Sequence, residues 1–297
     1  MKIKDIIEIL RPINALMGGL TVIIGVLNTR IGSDTATLIF NIALGVVTYF
    51  FITGSGMVIN DYYDIEIDKI NRPERPIPRG SITLNQAKML WIITAVIGII
   101  LAIIHSLLLQ IGFLNIALAA FFAFIGWLYA AWGKKTGFIG NVIVSVSFSI
   151  GLIYGAVLNS SIVPSYVYFF FLTSFFLLLS REVIKGCEDV EGDKKEGVKT
   201  IAIRLGTKKA TYFALTFGIL AIIFFILPVS TPILNPLLFL ISMAFGLAVV
   251  VFAVILMLKL IIKKNLTIKG FKKISLLLKL GAFLGLAAFI FASLKIL

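Results

Sequence analysis

The chain has 297 residues, of which 60% are hydrophobic and 14% charged, and its mean hydropathy is +1.08. This composition excludes a water-soluble globular protein, because a fold of this length has too little interior to bury so much apolar surface. The net charge of +13 would suggest nucleic-acid binding in a soluble protein, but the chain has no nucleic-acid-reading motif. The single cysteine, Cys187, excludes an intramolecular disulfide and a cysteine-cluster metal site.

Runs of about twenty apolar residues, each long enough to cross a hydrocarbon layer of roughly 30 Å, recur along the chain. We therefore expect an all-α integral membrane protein with nine transmembrane helices in a single membrane-embedded domain over residues 1–297. The positive start and first apolar run resemble a signal peptide, but no small-residue cleavage site follows, which favours an uncleaved span after a short amphipathic lead-in. The expected spans cover residues 13–30, 37–59, 88–108, 111–132, 138–158, 165–185, 210–229, 235–262 and 272–294.

Two further features refine this prediction. Gly151 and Gly155 interrupt the fifth span, which membrane helices tolerate where their neighbours pack closely. The lone histidine, His105, lies in an apolar run far from the acidic residues, so we expect a packed or interfacial side chain and not a catalyst.

The charges of the loops predict the orientation of the chain. Lys and Arg collect before the first span and after the second, fourth, sixth and eighth, whereas only Arg30 and Lys295 fall on the other side. By the positive-inside rule the N-terminus is cytoplasmic, and nine spans place the C-terminus outside. We expect a multi-pass protein of the cell membrane whose chemistry lies on the cytoplasmic side.

The first acidic cluster follows the second span. Asp61, Asp64 and Asp68 are spaced i, i+3 and i+7, so on a helix their carboxylates share one face. Three carboxylates on one face repel one another unless a cation lies between them, and hard oxygen ligands of this kind suit Mg²⁺. A lone acidic triad would be read as a solvated helix end.

A second acidic cluster follows the sixth span and argues against that simple interpretation. Of the 14 Asp and Glu, five lie in residues 61–74 and six in residues 182–196. Asp189 and Asp193 are spaced i, i+4, with Glu182 and Lys185 on the same side. Matched clusters four spans apart suggest two related halves whose acidic ends form opposing walls of one cavity, and ionisable residues at the end of a membrane bundle by default mark a site.

Basic residues on the same side of the membrane complete this chemistry. Arg75 and Lys185 are adjacent to the carboxylates, and Arg72, Lys134 and Lys135 also lie on this side. Carboxylates, Mg²⁺ and Arg or Lys together suit an anionic diphosphate, whose leaving-group charge must be stabilised. A diphosphate beside apolar spans implies a long hydrocarbon tail.

These residues resemble the motifs of the UbiA superfamily of intramembrane prenyltransferases, over essentially the whole chain. Asp189-x-x-x-Asp193 is similar to the second motif of that superfamily, and the layout of nine spans with motifs after the second and sixth is also typical of it. The segments similar to its first motif and to its opening are Asn60-Asp61-x-x-Asp64-x-x-x-Asp68, followed by Arg72-Pro73-x-Arg75-Pro76, and Leu10-Arg11-Pro12-x-Asn14.

The resemblance implies a central cavity in which both motifs bind a prenyl diphosphate through Mg²⁺. The catalytic and metal-binding residues would then be Asp61, Asp64, Asp68, Asp189 and Asp193, with Asn60 as a neutral oxygen ligand. Arg75 and Lys185 would neutralise the departing diphosphate, and Arg11, Lys134 and Lys135 are candidates for an acceptor phosphate. The remaining candidate substrate-binding residues are Asn14, Arg72, Tyr129 and Arg181, and the aromatic candidates to face an allylic cation also include Phe50, Phe51, Tyr62, Tyr63 and Trp132.

Within the superfamily, two segments are most like archaeal digeranylgeranylglyceryl phosphate synthases: residues 72–78 after the first motif, and residues 181–193, which lead into and contain the second. Gly186 departs from that pattern, because Asp is commoner there. The implied reaction joins geranylgeranyl diphosphate to geranylgeranylglyceryl phosphate, with no nucleic-acid or protein partner. An aromatic acceptor of the quinone or chlorophyll type remains an alternative within the same fold. A divalent-cation transporter is the non-enzyme alternative, but it would more naturally place its carboxylates in the middle of a span and without neighbouring arginines.

Overall fold

The computed structural model describes residues 2–195 and 197–294, apart from the side chains of Asn14, Asn71 and Lys195. Most described residues are helical and none lies in a β-strand, which confirms the all-α prediction. The chain separates into two compact units. The first comprises Met1–Gly133 and Tyr154–Ile162, and the second comprises Lys134–Ile153 and Val163–Leu297.

The first unit contains the opening segment and the first acidic motif. The first unit also contains the part of a later helix, α8 (Gly151–Asn159), that begins at Tyr154. Its own helices are α1 (Ile3–Leu10), α2 (Pro12–Asn28), α3 (Thr35–Tyr63), α4 (Ile65–Asn71), α5 (Leu84–Leu109) and α6 (Phe113–Ala131).

The second unit contains the second acidic motif. Two short 3₁₀ helices, Gly133–Thr136 and Leu227–Ser230, connect α-helices in this part of the chain. The α-helices are α7 (Phe138–Ser149), α8 (Gly151–Asn159), α9 (Ser165–Glu188), α10 (Val190–Lys195), α11 (Ile201–Leu205), α12 (Thr207–Ile226), α13 (Pro236–Ile262) and α14 (Ile268–Ser293).

Eight described helices are long and apolar enough to cross a membrane, and they coincide with the second to ninth predicted spans. A further pair of helices, Ile3–Leu10 and Ala15–Asn28, is bent by 57° between its two members. The pair makes a ninth span if it counts as one. The bend lies where Arg11 adopts a left-handed φ of 48° and Pro12, which lacks an amide hydrogen, starts α2. The number nine and the orientation of the termini stay predictions.

The fifth span is interrupted, and one of its two glycines has a packing role. α7 ends at Ser149 and α8 begins at Gly151, as the glycines predicted. A Cβ atom at Gly155 would lie 2.0 Å from the carbonyl oxygen of Val22, so only glycine lets α8 pack this closely on α2.

A buried polar network joins four helices of the first unit. His105 on α5 is fully buried, and its Nε2 lies 2.9 Å from Oδ1 of Asn41 on α3. Asn41 donates to Asn159 Oδ1 at 2.8 Å, and Asn159 donates to the carbonyl of Thr29 at 2.6 Å. These bonds satisfy polar groups inside an apolar bundle, where an unpaired group is costly. His105 is therefore a packed histidine, as predicted.

Arg79 fastens α1 to the loop that follows the first motif. Its guanidinium donates to Asp5 and, at 3.0 Å, to Glu8, both on α1. It also donates to the backbone carbonyl of Glu74 at 2.7 Å, within the segment that carries Arg75. One side chain thus fixes the N-terminal helix and the arginine-bearing loop together.

This contact predicts an acid-dependent loss of stability. The hydrogen bond from Arg79 lowers the pKa of Asp5 below its ordinary value of 3.8. A lowered folded-state pKa gives stability that is present above pH 3.8 and is lost as the pH falls through the folded pKa. We expect Asp5→Asn to lower the melting temperature at pH 7, and the difference from wild type to shrink as the pH falls below 3.8. A difference that stays constant with pH would contradict the pairing.

Candidate functional site

The first acidic motif lies across a helix junction. α3 ends at Tyr63 and α4 begins at Ile65, so the helical stretch that carries the three carboxylates is interrupted at Asp64, the cap residue of both helices. The amide of Asp64 still donates to the Asn60 carbonyl at 3.0 Å, and the amide of Asp68 donates to the Asp64 carbonyl at 2.8 Å. The i, i+4 hydrogen bonding therefore continues through the junction. All three Asp side chains are buried, with exposures of 1% for Asp61, 7% for Asp64 and 4% for Asp68.

Two arginines neutralise this buried carboxylate cluster. Arg11, at the bend between α1 and α2, pairs with Asp61. Arg75 bridges two carboxylates, with its Nη1 at 3.2 Å from Asp61 and 2.5 Å from Asp68. Three anions buried this deeply need such counter-ions, since an unpaired buried carboxylate is strongly destabilising.

Asn60 lies beside the same carboxylates with one atom unused. Its Nδ2 donates to Asp64 Oδ2 at 3.1 Å. Its Oδ1 is buried and has no hydrogen-bond partner within the described residues. A buried amide oxygen next to three carboxylates is suited to coordinate a hard cation.

The donor set of the first motif fits Mg²⁺ in its chemistry. All of its donors are oxygens, and one is an orphaned carbonyl. The described residues contain no group of three or more Asp, Glu, His or Cys already placed to hold a metal ion. Arg11 and Arg75 supply positive charge to these carboxylates.

The second motif has the same backbone form. α9 ends at Glu188 and α10 begins at Val190, with Asp189 between them. The amide of Asp189 donates to the Lys185 carbonyl at 3.1 Å, and the amide of Asp193 donates to the Asp189 carbonyl at 2.8 Å. Both motifs therefore place an aspartate at the junction of a long and a short helix, which supports the hypothesis of two related halves.

The surroundings of the second motif are more open. Asp189 is half exposed and pairs with Lys185 at 3.3 Å. Arg181 pairs with Glu182 at 2.6 Å, while its Nε and the Oε1 of Glu188 are buried without a partner in the described part of the chain. A pocket of about 340 Å³ adjoins this motif and is lined by Glu188, Asp189, Glu191, Gly192, Asp193 and Ile268.

The other predicted site residues are more scattered. Arg72 is exposed just after α4, Tyr129 is half-buried on α6, and the Asn14 side chain lies outside the described residues. Lys134 and Lys135 lie in the 3₁₀ helix Gly133–Thr136. The aromatic candidates include two edge-to-face pairs, Phe50 with Phe51 and Tyr62 with Tyr63.

The sequence did not predict two parts of this arrangement. Arg11, considered only for an acceptor phosphate, pairs with Asp61 fifty positions away. Asp5, Glu8 and Arg79 had no assigned role, yet they hold the loop that carries Arg75. The available signal was that Asp5 and Glu8 are two of only three acidic residues that lie outside the two acidic clusters.

Comparison with known proteins identifies relatives of the whole chain. The model of the UbiA prenyltransferase family matches residues 19–271. The digeranylgeranylglyceryl phosphate synthase of Methanosphaera stadtmanae is 40% identical over 78% of this chain and 77% of its own length. The synthase of the same name from Saccharolobus solfataricus is 37% identical over 99% of this chain and 98% of its own.

Solved structures share the fold. A structure described as digeranylgeranylglyceryl phosphate synthase in membranes superposes with a TM-score of 0.83 at 33% identity, covering 99% of each chain. A UbiA homologue from Archaeoglobus fulgidus bound to DMAPP and Mg²⁺ superposes with a TM-score of 0.66 at 17% identity, over 95% of this chain and 99% of its own. The resemblance inferred from the motifs is confirmed.

Proposed function

Because the chain belongs to the UbiA prenyltransferase family, we propose that it transfers a geranylgeranyl group from geranylgeranyl diphosphate to the free hydroxyl of geranylgeranylglyceryl phosphate. The product carries the second ether bond of archaeal membrane lipids. The relatives that share this chain's length support this choice of acceptor. The observation that carries the proposal is the buried cluster of Asp61, Asp64 and Asp68, neutralised by Arg11 and Arg75.

In the proposed reaction the bond between carbon one of the prenyl chain and the diphosphate oxygen breaks, and the electron pair leaves with the diphosphate. The acceptor hydroxyl oxygen bonds to carbon one and its proton passes to a base, for which Asp64, Glu66 or the released diphosphate are candidates. Arg75 and Lys185 would bind the departing diphosphate, whose negative charge grows in the transition state. The transfer needs no oxidant or reductant.

We assign the metal ligands to both motifs. Asp61, Asp64, Asp68 and the orphaned Oδ1 of Asn60 would hold Mg²⁺ on the first motif, and Asp189 and Asp193 on the second. Mg²⁺, when bound, would screen the diphosphate and make it a better leaving group. Since Arg11 and Arg75 pair with Asp61 and Asp68, we expect the metal and these arginines to compete for the same negative charge.

The proposed site also requires apolar and basic surroundings. Half-buried Tyr129 and the pairs Phe50/Phe51 and Tyr62/Tyr63 would offer aromatic faces to the allylic cation. Asn14, Arg72, Lys134, Lys135 and Arg181 remain candidates for substrate binding. We place the site on the cytoplasmic side of a multi-pass membrane protein. Its partners in the reaction are lipid substrates, without a protein or nucleic-acid partner.

The test is prenyl transfer by the purified full-length chain in detergent or vesicles, with labelled geranylgeranyl diphosphate. Geranylgeranylglyceryl phosphate and 4-hydroxybenzoate are offered as separate acceptors, each with Mg²⁺ and with EDTA. We expect product from the glyceryl phosphate in Mg²⁺ and none after chelation. Product from 4-hydroxybenzoate alone would keep the family chemistry but overturn the acceptor, and no transfer to either by folded protein would overturn the proposal.

A further inference from the structure

The charges of this chain divide sharply along its length. All 14 Asp and Glu lie at or before Glu196, whereas twelve of the 27 Lys and Arg follow it. The net charge of +13 therefore belongs almost wholly to the last third of the chain. Within the described residues none of the lysines of α13, α14 or the turn between them forms an ion pair.

These lysines form one exposed surface on the second unit. The lysine ladder, as we name it, is formed by Lys269, Lys272, Lys273 and Lys279 on α14, with Lys259, Lys263 and Lys264 at the end of α13. Lys269, Lys272 and Lys279 recur at i, i+3 and i+10, so they share one face of α14. All seven side chains are exposed.

The positive-inside rule explains lysines in a loop, but not the depth of this ladder. Lys279 lies eleven positions after the first residue of α14, which is about 16 Å along a helix axis. It is flanked by exposed apolar side chains, with exposures of 67% at Leu276, 46% at Leu280 and 58% at Phe283. A charged side chain among lipid-facing residues is costly unless it has a partner.

Lys273 is a second, independent case of an ammonium group placed beside apolar side chains. Its Nζ lies 5.9 Å from the centroid of the Phe252 ring, at a distance typical of a cation–π contact. Phe252 lies ten positions before the end of α13 and its side chain is 45% exposed. The ammonium of Lys273 is thus placed beside an apolar stretch of α13, although a long lysine near a helix end usually extends toward water.

We propose that the lysine ladder binds the phosphate head of an anionic bilayer lipid, whose tail lies along Leu276, Leu280 and Phe283. The observation that selects this occupant is charge complementarity beside an apolar face. A row of lysine ammonium groups beside lipid-facing apolar side chains is complementary to a molecule with an anionic head and a hydrocarbon tail. This binding goes beyond the proposed prenyl transfer and requires neither the acidic motifs nor a prenyl diphosphate.

The test measures lipid binding by the full-length chain in a non-ionic detergent, by native mass spectrometry and without Mg²⁺ or diphosphate. The probes are phosphatidylglycerol and phosphatidylcholine with the same acyl chains. We expect wild type to bind phosphatidylglycerol more tightly. The variant Lys272→Gln/Lys273→Gln/Lys279→Gln should bind it about a hundredfold more weakly, because each basic residue near an anionic surface contributes roughly fivefold.

The matched control is a triple variant that loses the same charge at exposed lysines outside the ladder, Lys4→Gln/Lys88→Gln/Lys209→Gln. Equal weakening in both triple variants would overturn the proposal, because the effect would then be one of net charge. Equal binding of phosphatidylcholine, or displacement of the lipid by millimolar inorganic phosphate, would also overturn it. If the triple variant does not fold, Lys279→Gln should weaken binding and Lys279→Arg should retain it, and equal binding by the two contradicts the ladder.

Discussion

Asp61→Asn is expected to reduce prenyl transfer on the order of a thousandfold, the scale of losing a principal electrostatic group at a developing charge. The asparagine keeps the shape of the side chain but removes a metal ligand. It also removes the anion to which Arg11 and Arg75 are both bound. Turnover of labelled geranylgeranyl diphosphate measures the effect, with elution and circular dichroism as checks of folding.

The matched control for this variant is Glu74→Gln. Glu74 has an exposed side chain in the same loop, and its described contact, to Arg79, is made by the backbone carbonyl. We expect its activity to stay within about twofold of wild type, since surface substitutions away from a site usually change little. Wild-type turnover by Asp61→Asn would remove that residue from the metal site. A large loss of activity in Glu74→Gln would show that turnover depends on the loop as a whole and not on the carboxylate cluster in particular.

The helical architecture was predictable because long apolar runs have one stable form in a bilayer. Gly151 marked the interruption between α7 and α8, and Gly155 allows the close approach of α8 to Val22. The acidic motifs stood out as candidate sites, because 11 of the 14 Asp and Glu lie in two short segments. Spacing alone could not reveal the junction at Asp64, since the i, i+4 hydrogen bonds continue through it.

The counter-ions of the first motif were less predictable. The guanidinium of Arg11 reaches Asp61 only because the chain bends at Arg11, whose positive φ is uncommon for arginine. The contact of Arg79 with Asp5 and Glu8 joins residues more than seventy positions apart. Such pairings depend on which helices pack together, and a single sequence contains no direct record of that.

Removal of Arg75 is expected to have two separable effects, because it bridges Asp61 and Asp68. Arg75→Ala leaves two carboxylates, each less than a tenth exposed, without this partner. Breaking a buried ion pair from one side costs roughly 3–5 kcal/mol. We therefore expect a lower melting temperature in EDTA, and a loss of prenyl transfer of about a hundredfold or more, since the guanidinium also stabilises the leaving diphosphate.

Added Mg²⁺ distinguishes these effects. If Mg²⁺ and Arg75 neutralise the same carboxylates, the cation should raise the melting temperature of Arg75→Ala more than that of wild type, because a ligand that binds the folded state stabilises it. Activity should remain low, since the cation replaces the counter-charge but not the group that binds the diphosphate. Glu74→Gln, which changes an exposed side chain in the same loop and leaves the ion pairs of the motif in place, is the control and should show the wild-type response to Mg²⁺. Equal Mg²⁺-induced shifts in wild type and Arg75→Ala would show that metal and arginine do not compete for Asp61 and Asp68.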